Sequence, residues 1–438
     1  MSEGPTTRRA VVLVGNPAAP YSRALRIARA LHAEGFRVEI AAVAGQGLPE
    51  REMDGPIEIR RYRPSGPFAR MAPTYTEAGG AIASAPTRRG VAGKVVLGLA
   101  ALRRWLLWPH TVRGWWATLR TALEPADLYH ACGSLTIAPA LAARSRDRRA
   151  GRHSVVVYDA IDDIAGSNNV LDMPAPIHWS VAAREARWAR QSDGRITVND
   201  ALAAGLAKRW KVAEPPLVVP NWPEATADPG PAVPGRAGLS VDLIRQRLGL
   251  PSTTRIVEFQ GRLGPNLGLD ESAEAILLVP DAVLVLIGFG RWMERCRARD
   301  TESRFAGKHF TLPAVHPDEL LGWTASADVT LVPLPPVSAN QRAATPNKFW
   351  ESLAAGTPVV VGPGLEVMDR LVTDHRLGIV AKSLEPADLA AAISAVLDRS
   401  SEERAADRER IRKLAAERFS WPVAAAAYRT LVRDLAAP

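Results

Sequence analysis

The chain has 438 residues, of which 47% are hydrophobic and 23% charged, and its length predicts two or three domains of a soluble globular protein. Its net charge of +9 is uneven, because residues 1–222 carry 30 basic and 19 acidic side chains whereas residues 223–438 carry 25 and 27. That distribution excludes a uniformly basic, histone-like chain and indicates a basic domain joined to a near-neutral one.

Short β-branched runs alternate with helical stretches in the first half of the chain. Residues 10–14 predict a buried strand, residues 23–33 repeat apolar residues at helical spacing, and residues 36–43 predict the next strand. A strand–helix–strand unit of this kind belongs to a parallel sheet. Further strands are predicted at residues 128–131, 154–158, 195–198 and 217–219.

A second α/β series follows a Pro- and Gly-rich stretch. Residues 223–240 hold four Pro and three Gly without apolar periodicity, which predicts an interdomain linker. Two parallel-sheet domains imply a cleft between them, with ligands at the carboxyl ends of the strands. The strands predicted after the linker are residues 255–259, 282–287, 329–332 and 358–361.

The most informative motif spans residues 345–361. Thr345 can cap a helix that Gly356 ends, and a helix start favours a phosphate. Lys348 lies in the first turn, where the helix dipole disfavours a cation, so a role in meeting an anion is indicated. Glu351 lies one turn further and can accept hydrogen bonds from sugar hydroxyls. The alternative is an ordinary amphipathic helix with solvated Lys348 and Glu351.

This motif, together with Ser326–Pro335 and Ser338–Asn340, resembles glycosyltransferase family 4. The likeness runs over roughly residues 8–436, through weaker matches at residues 23–39, 127–131, 157–160, 261–263, 286–290 and 419–421.

The resemblance implies an α/β GT-B fold, in which two Rossmann-like parallel-sheet domains face a central cleft. It assigns residues 1–222 to acceptor binding, residues 223–240 to a linker and residues 241–420 to donor binding. Residues 421–438 are then a C-terminal helix that packs back on the first domain.

The resemblance also implies the site residues. Its catalytic positions fall on His130, Asp159, Arg262 and Glu351. Its donor-binding positions fall on Gly15, Asn16, Gly261, Arg262, Gly288, Asn340, Asn347, Lys348 and Glu351. Without the resemblance, a satisfied, half-buried histidine is the ordinary interpretation of His130. No metal is expected, because the acidic residues Asp159, Asp162 and Asp163 lack a compact ligand spacing.

Two positions depart from the family pattern. The second diphosphate-binding cation is replaced by Leu267, and the first of two paired glutamates by Ala343. Losing one cation is expected to reduce leaving-group stabilisation by about 2–4 kcal/mol unless another residue substitutes, and Lys348 or Arg342 are the candidates.

The implied activity is that of a retaining, metal-independent hexosyltransferase without a cofactor. A UDP- or GDP-linked sugar is the expected co-substrate, and a glycan, a lipid-linked molecule or a small molecule is the expected acceptor. The alternative is a weak or inactive GT-B protein that binds a nucleotide or a partner. A sugar-nucleotide epimerase is a third option, which the 345–361 motif disfavours.

The basic, Trp-rich segment at residues 97–123 leaves two interpretations open. Tryptophan with arginine suits an anionic membrane surface, whereas a partly buried helix pair with solvated arginines is the alternative. No nucleic-acid motif is present, and no apolar stretch reaches 18 residues without a charge. We therefore expect a cytoplasmic protein, with peripheral attachment to the inner face of the membrane as an added expectation.

Overall fold

A computed structural model describes residues 8–19, 21–45, 47–66, 112–166, 175–225 and 242–437. The chain divides into two compact units. The first unit comprises residues 1–165, 172–219 and 427–438, and the second comprises residues 166–171 and 220–426. Most of the predicted linker lies outside the described residues.

The first unit is built on an eight-stranded sheet in the order β3-β4-β2-β1-β5-β6-β7-β8. All neighbours are parallel except β3 and β4, which form an antiparallel edge. Its strands are β1 (Arg9–Val14), β2 (Arg37–Val43), β3 (Arg51–Asp54), β4 (Ile57–Tyr62), β5 (Leu128–Cys132), β6 (Val155–Ala160), β7 (Gly194–Thr197) and β8 (Leu217–Val218). Its helices are α1 (Ser22–Ala33), α2 (residues 112–122), α3 (Ile137–Arg149), α4 (Ala175–Gln191) and α5 (Asp200–Trp210).

The second unit carries a six-stranded, wholly parallel sheet in the order β11-β10-β9-β12-β13-β14. Its strands are β9 (Arg255–Arg262), β10 (Ala282–Phe289), β11 (His309–Pro313), β12 (Val329–Val332), β13 (Val359–Val361) and β14 (Gly378–Val380). Its helices are α6 (Leu243–Leu248), α7 (Leu269–Ile276), α8 (Met293–Asp300), α9 (Pro317–Ala325), α10 (Ala339–Arg342), α11 (Asn347–Ala354), α12 (Glu366–His375), α13 (Pro386–Leu397) and α14 (Ser401–Arg418).

This strand order places a topological switch point between β9 and β12, where α/β sheets bind ligands at the carboxyl ends of their strands. The central strands are apolar on both faces because helices cover the sheet on both sides. Val257 and Phe259 of β9 and Val329 of β12, for example, have no exposed surface.

The last helix, α15 (Trp421–Leu435), is shared between the units. Its residues up to Ala426 cluster with the second unit, and those from Ala427 cluster with the first. The backbone N–H of Trp421 donates to the carbonyl of Pro223 at 2.8 Å, a contact within the second unit. Among the described helices, none is both long enough and apolar enough to cross a lipid bilayer.

Candidate active site

The carboxyl end of β9 has a backbone that only glycine permits. Gly261 has a φ of +105°, and Arg262, the last residue of the strand, is exposed to solvent. Gly288 of the neighbouring β10 packs so closely that an added Cβ would lie 1.8 Å from the Gly261 carbonyl oxygen. Because Gly261 and Gly288 carry no side chain, a ligand can approach the backbone at these two positions.

Lys348 is buried beside this strand end. It lies in the first turn of α11, with 8% of its surface exposed, and its Nζ is 3.3 Å from the centroid of the Phe259 ring. The Nζ atom has no hydrogen-bond partner among the described residues. Burial lowers the pKa of Lys348 to about 7. A lysine in this state gains from the arrival of an anion.

Three charged groups act on Lys348. After burial, the pKa of Lys348 is raised by Glu351 and by Glu258 and lowered by Arg262. We call these four residues, Glu258, Arg262, Lys348 and Glu351, the Lys348 cluster. They bring basic and acidic groups together at the switch point of the second sheet.

Glu258 is the member of the Lys348 cluster that lies inside β9. Its side chain has no exposed surface and accepts hydrogen bonds from the hydroxyls of Thr324 at 3.3 Å and Thr330 at 3.4 Å. Burial raises the pKa of Glu258 to about 8. The sequence analysis missed this residue, although a glutamate within the apolar run of residues 256–259 was a visible signal.

The helix of the 345–361 motif differs in detail from the expectation. The prediction that Thr345 caps it is wrong, because Pro346 occupies the cap position and the helix begins at Asn347. Gly356, with a φ of +72°, follows the helix end as predicted. The alternative of a solvated Lys348 is also wrong, since that side chain is buried, whereas Glu351 is half-buried.

The remaining predicted residues of the second unit flank this cluster. Asn347 is exposed, and its side-chain oxygen accepts a hydrogen bond from Asn221 at 2.5 Å. Asn340 is half-buried in the short helix α10, which ends at Arg342 and has Ala343 as its C-cap. Leu267, at the position of the missing cation, packs on the apolar cores beneath both sides of the sheet.

His130 and Asp159 of the first unit lie side by side in the interior. They are on neighbouring strands, and neither has any exposed surface. Arg23 donates to both carboxylate oxygens of Asp159, at 2.7 and 2.9 Å, and also to the carbonyl of Val219. Burial opposes the ionisation of Asp159, but Arg23 outweighs it and holds the pKa of Asp159 below its ordinary value.

The C-terminal helix completes this network. The Tyr428 hydroxyl lies 2.9 Å from Nδ1 of His130, whose Nε2 lies 3.3 Å from Asp159. Because an ionised carboxylate can only accept, Nε2 carries the proton and Tyr428 donates to Nδ1. Burial lowers the pKa of His130, which keeps the ring neutral. We call Arg23, His130, Asp159 and Tyr428 the His130 network; the sequence analysis missed Arg23 and Tyr428.

The His130 network is therefore complete without a ligand. His130 is a satisfied histidine, as the ordinary interpretation expects, but it is fully rather than half buried. Its geometry is that of a group that orders the ends of β5 and β6, and direct contact of His130 or Asp159 with a substrate stays a prediction.

Cys132 joins His130 and Asp159 in a group whose possible ligand atoms all lie within 4.8 Å. Both oxygens of Asp159 already accept from Arg23, and burial raises the pKa of the Cys132 thiol well above its ordinary value. A metal site needs a thiolate and available carboxylate oxygens, so these residues do not fit one. Asp163 is paired with Arg209.

Gly15 and Asn16 lie directly after β1, at the carboxyl edge of the first sheet. The Asn16 side chain accepts from the backbone of Ala18 at 2.8 Å, and its carbonyl accepts from Val43 at 3.0 Å. These bonds fix the turn between β1 and α1. The role of Gly15 and Asn16 in donor binding stays a prediction.

The described part of the basic, Trp-rich segment packs on its own unit. Trp115 is buried, and Trp116 donates to the carbonyl of Leu135 at 2.8 Å and contacts Trp188 edge-on. Arg113 and Arg120 are exposed, as the partly buried alternative requires. The rest of the segment, up to residue 111, lies outside the described residues.

Known proteins resemble this chain in both sequence and fold. Residues 240–417 match the family model described as glycosyl transferases group 1. A D-inositol 3-phosphate glycosyltransferase of Acidothermus cellulolyticus is 32% identical over 167 residues, which cover 35% of this chain and 36% of the relative. The match therefore spans little more than a third of that relative's length.

Solved structures resemble the chain over nearly its whole length. Sucrose-phosphate synthase from Thermosynechococcus elongatus has a TM-score of 0.66 at 16% identity, covering 98% of this chain and 99% of its own. HepE of Anabaena, in complex with UDP and glucose, has a TM-score of 0.62 at 16% identity, covering 98% and 100%. The predicted GT-B fold class is thereby confirmed, and residues 240–417 are similar to the glycosyl transferases group 1 family.

Proposed function

We propose that this protein is a retaining, metal-independent glycosyltransferase that moves a hexosyl group from a UDP- or GDP-linked sugar to an acceptor hydroxyl. The observation that carries the proposal is Lys348, a buried amine without a hydrogen-bond partner among the described residues, beside Arg262 at the switch point of a group 1 domain. Structural relatives support the donor class, since HepE was solved with UDP and glucose.

The Lys348 cluster has a separate role for each part of the donor. Arg262, exposed at the end of β9, can make bidentate contacts to the diphosphate. Lys348 and the positive end of the α11 dipole add positive potential. In this proposal Lys348 supplies the second cation that Leu267 cannot. Glu351, one turn along α11, accepts hydrogen bonds from the ribose hydroxyls.

The proposed chemistry is substitution at the anomeric carbon on the face that the nucleotide leaves. The acceptor oxygen forms a bond to that carbon while the bond to the diphosphate oxygen breaks, and the acceptor proton passes to the departing diphosphate. Arg262 and Lys348 stabilise the negative charge that develops on that leaving group. The His130 network contributes by holding the ends of β5 and β6 in place.

Titration with UDP and with GDP tests the donor site. We expect Arg262→Ala to weaken binding by about 2–4 kcal/mol and Glu351→Ala to weaken it by about 1–3 kcal/mol, because each removes charged hydrogen bonds. Arg304→Ala is the matched control, since Arg304 lies in the same unit and forms an exposed pair with Glu274. Absence of nucleotide binding, or equal affinity in all variants, would refute the donor site.

A second candidate is a GT-B protein that binds a nucleotide without transfer, which the apolar Leu267 and Ala343 favour. Release of nucleotide from a donor sugar in the presence of an acceptor pool separates the two. Tight UDP binding with no release above the Arg262→Ala background would establish the second candidate.

For the acceptor we propose a glycan, a lipid-linked molecule or a small natural product, used by a cytoplasmic enzyme.

Docking of residues 97–123 on the inner face of the membrane is tested by co-sedimentation with anionic vesicles. Binding that is absent, or that is unchanged in Trp105→Ala and Arg104→Glu, would exclude that surface.

A further inference from the structure

Three aromatic rings of the second unit contact one another. The ring centroid of Trp222 lies 5.7 Å from that of Trp350 and 5.6 Å from that of Phe419, and the Trp350 and Phe419 centroids are 5.4 Å apart. Aromatic pairs at these distances stabilise a structure beyond the burial of their area. We call these three residues the aromatic triad. It joins segments that are distant in sequence, because Trp350 belongs to α11 and Phe419 directly follows α14.

A hydrogen bond from the residue before Trp222 holds the first turn of the same helix. The side-chain nitrogen of Asn221 donates to the side-chain oxygen of Asn347 at 2.5 Å, and Asn347 is the first residue of α11. Pro346 occupies the N-cap position, where it makes no side-chain hydrogen bond. Asn221 is therefore a side chain from outside the helix that fixes its start.

The helix α11 is thus contacted by both ends of the second unit. The main part of this unit comprises residues 220–426, so Trp222 stands at its beginning and Phe419 near its end. The two ends also contact each other through the hydrogen bond between Trp421 and Pro223. One short helix is therefore held both where the chain enters the unit and where it leaves.

The position of α11 depends on such contacts. The helix has only eight residues, and helices of that length are marginal in water without tertiary packing. Lys348 and Glu351 directly follow Asn347 and Trp350 in sequence, so a shift of the first turn moves all four side chains together. Groups that bind a ligand must be held to within about 0.5 Å of the productive geometry. The attachment of α11 therefore controls how Lys348 and Glu351 meet a nucleotide.

Stability alone gives little reason for these contacts. The hydrogen bond between Asn221 and Asn347 is exposed, and such a bond between neutral groups contributes little net free energy. Trp222 is half-buried, yet its indole N–H is shielded and has no hydrogen-bond partner among the described residues. An unpaired donor of this kind lowers stability. What Asn221 and Trp222 add is therefore the placement of α11.

We propose that Asn221 and Trp222 are positioning residues of the donor site that act through α11. They hold Lys348 and Glu351 where a nucleoside diphosphate binds, and neither of them contacts the nucleotide. This role rests on the proposed donor site and deepens it. Because coupling is reciprocal, a nucleotide that binds more tightly when α11 is held also holds α11, so its binding changes the surroundings of Trp222.

Calorimetric titration of three variants with UDP tests this role. Trp222→Ala removes two ring contacts, so we expect the dissociation constant to rise about tenfold. Trp222→Phe keeps an aromatic ring and removes the unpaired N–H, so its dissociation constant should stay within about threefold of that of the unaltered protein. Asn221→Ala removes an exposed hydrogen bond and no ring contact, and it should raise the dissociation constant about threefold.

Trp188→Ala is the matched control. Trp188 is likewise half-buried and contacts Trp116 edge-on at 5.9 Å, but it lies in the first unit. Its replacement should lower the free energy of unfolding without changing the UDP dissociation constant. Urea denaturation of each variant measures that loss and shows that the titrated protein is folded.

Fluorine NMR gives a readout that a purely structural role would not move. The chain has 12 tryptophans, so in protein labelled with 5-fluorotryptophan the resonance that is missing from Trp222→Phe belongs to Trp222. Saturating UDP should shift this resonance, whereas the Trp188 resonance, assigned in the same way with Trp188→Phe, should stay in place. The shift is measured on the unaltered sequence, so it does not depend on the folding of Trp222→Ala.

Equal UDP affinity in the unaltered protein, Trp222→Ala and Asn221→Ala would overturn the inference, as would a Trp222 resonance that saturating UDP leaves in place. Failure of Trp222→Phe to restore affinity would also overturn it, because the indole would then contact the nucleotide itself. If Arg262→Ala still weakens UDP binding, these results leave the donor site intact and remove only the positioning role. If UDP does not bind the unaltered protein, the proposed function fails together with the inference.

Discussion

Each unit buries a set of charged groups. The two sets differ in whether all their polar atoms have hydrogen-bond partners. In the His130 network every ring nitrogen and carboxylate oxygen has a partner within the first unit. In the Lys348 cluster the Nζ atom has no hydrogen-bond partner among the described residues. A satisfied buried network supports the fold, whereas an unsatisfied one lowers stability and is ready for a ligand. Without reference to family motifs, this difference predicts that the first set is structural and that the second binds a ligand.

The largest effect is expected from breaking the satisfied network. Asp159→Asn leaves the Arg23 guanidinium buried beside a neutral group and should lower the free energy of unfolding by about 3–5 kcal/mol. Urea denaturation measures the loss. Asp54→Asn is the control, because its partner Arg29 is 54% exposed and such surface pairs contribute about 0–1 kcal/mol. Equal losses in the two variants would contradict a structural role for the network.

A substitution in the Lys348 cluster should change the free energy of unfolding in the opposite direction. Lys348→Met replaces a buried amine with an apolar side chain of similar length, so we expect the free protein to gain about 1–3 kcal/mol in stability. The same variant should lose UDP affinity. Denaturation and nucleotide titration on one preparation check both effects. A variant that is less stable and still binds UDP normally would remove the distinction between the two sets.

Acid pH should lower the stability of the first unit, because His130 binds a proton more readily in the unfolded chain. Its folded pKa lies below the unfolded value of about 6.5, so the unfolded chain binds the proton first and stability falls as pH drops below about 6.5. The slope should approach about 1.4 kcal/mol per pH unit. His130→Gln should flatten this slope in denaturation measured between pH 7 and pH 5, whereas the exposed His316→Gln should not.

The smallest effect is expected from Tyr428→Phe, which keeps the ring contact with His130 and removes one hydrogen bond. A loss of about 1 kcal/mol in the free energy of unfolding is expected. Thermal denaturation measures this loss. A loss of stability with an unchanged UDP affinity would support a structural role for the His130 network and a ligand-binding role for the Lys348 cluster. A large fall in UDP affinity without any loss of stability would contradict it.

The sequence predicted the central strands well because these are apolar runs bounded by turns. The strand at residues 329–332 agrees fully, and the strand predicted at residues 255–259 continues to Arg262 because Gly261 and Arg262 pair with Gly288 and Phe289. The edge strands β3, β11 and β14 were not predicted, and neither was β4, which lies next to β3. Strand β3 reads Arg-Glu-Met-Asp and has no apolar pattern, so only its pairing with β4 defines it.

Part of the candidate site could be proposed from local chemistry. Lys348 was singled out because a cation in the first turn of a helix opposes the dipole, and its role in binding an anion stays a prediction. Tyr428 was not predictable, since it meets His130 across 298 residues of sequence and no local pattern records such a contact. Glu258 could have been noticed, but its two threonine partners come from elements that only the fold brings together.

The contact between Tyr428 and His130 has a consequence for biosynthesis. On the ribosome, the whole first sheet and then the whole second unit emerge before residues 427–438, which belong to the first unit. The first unit consequently cannot close its interior before residues 427–438 have been made, although domains usually fold in order from the N-terminus. Until then Tyr428 does not cover His130. The first unit therefore depends on residues that are made after those of the second unit.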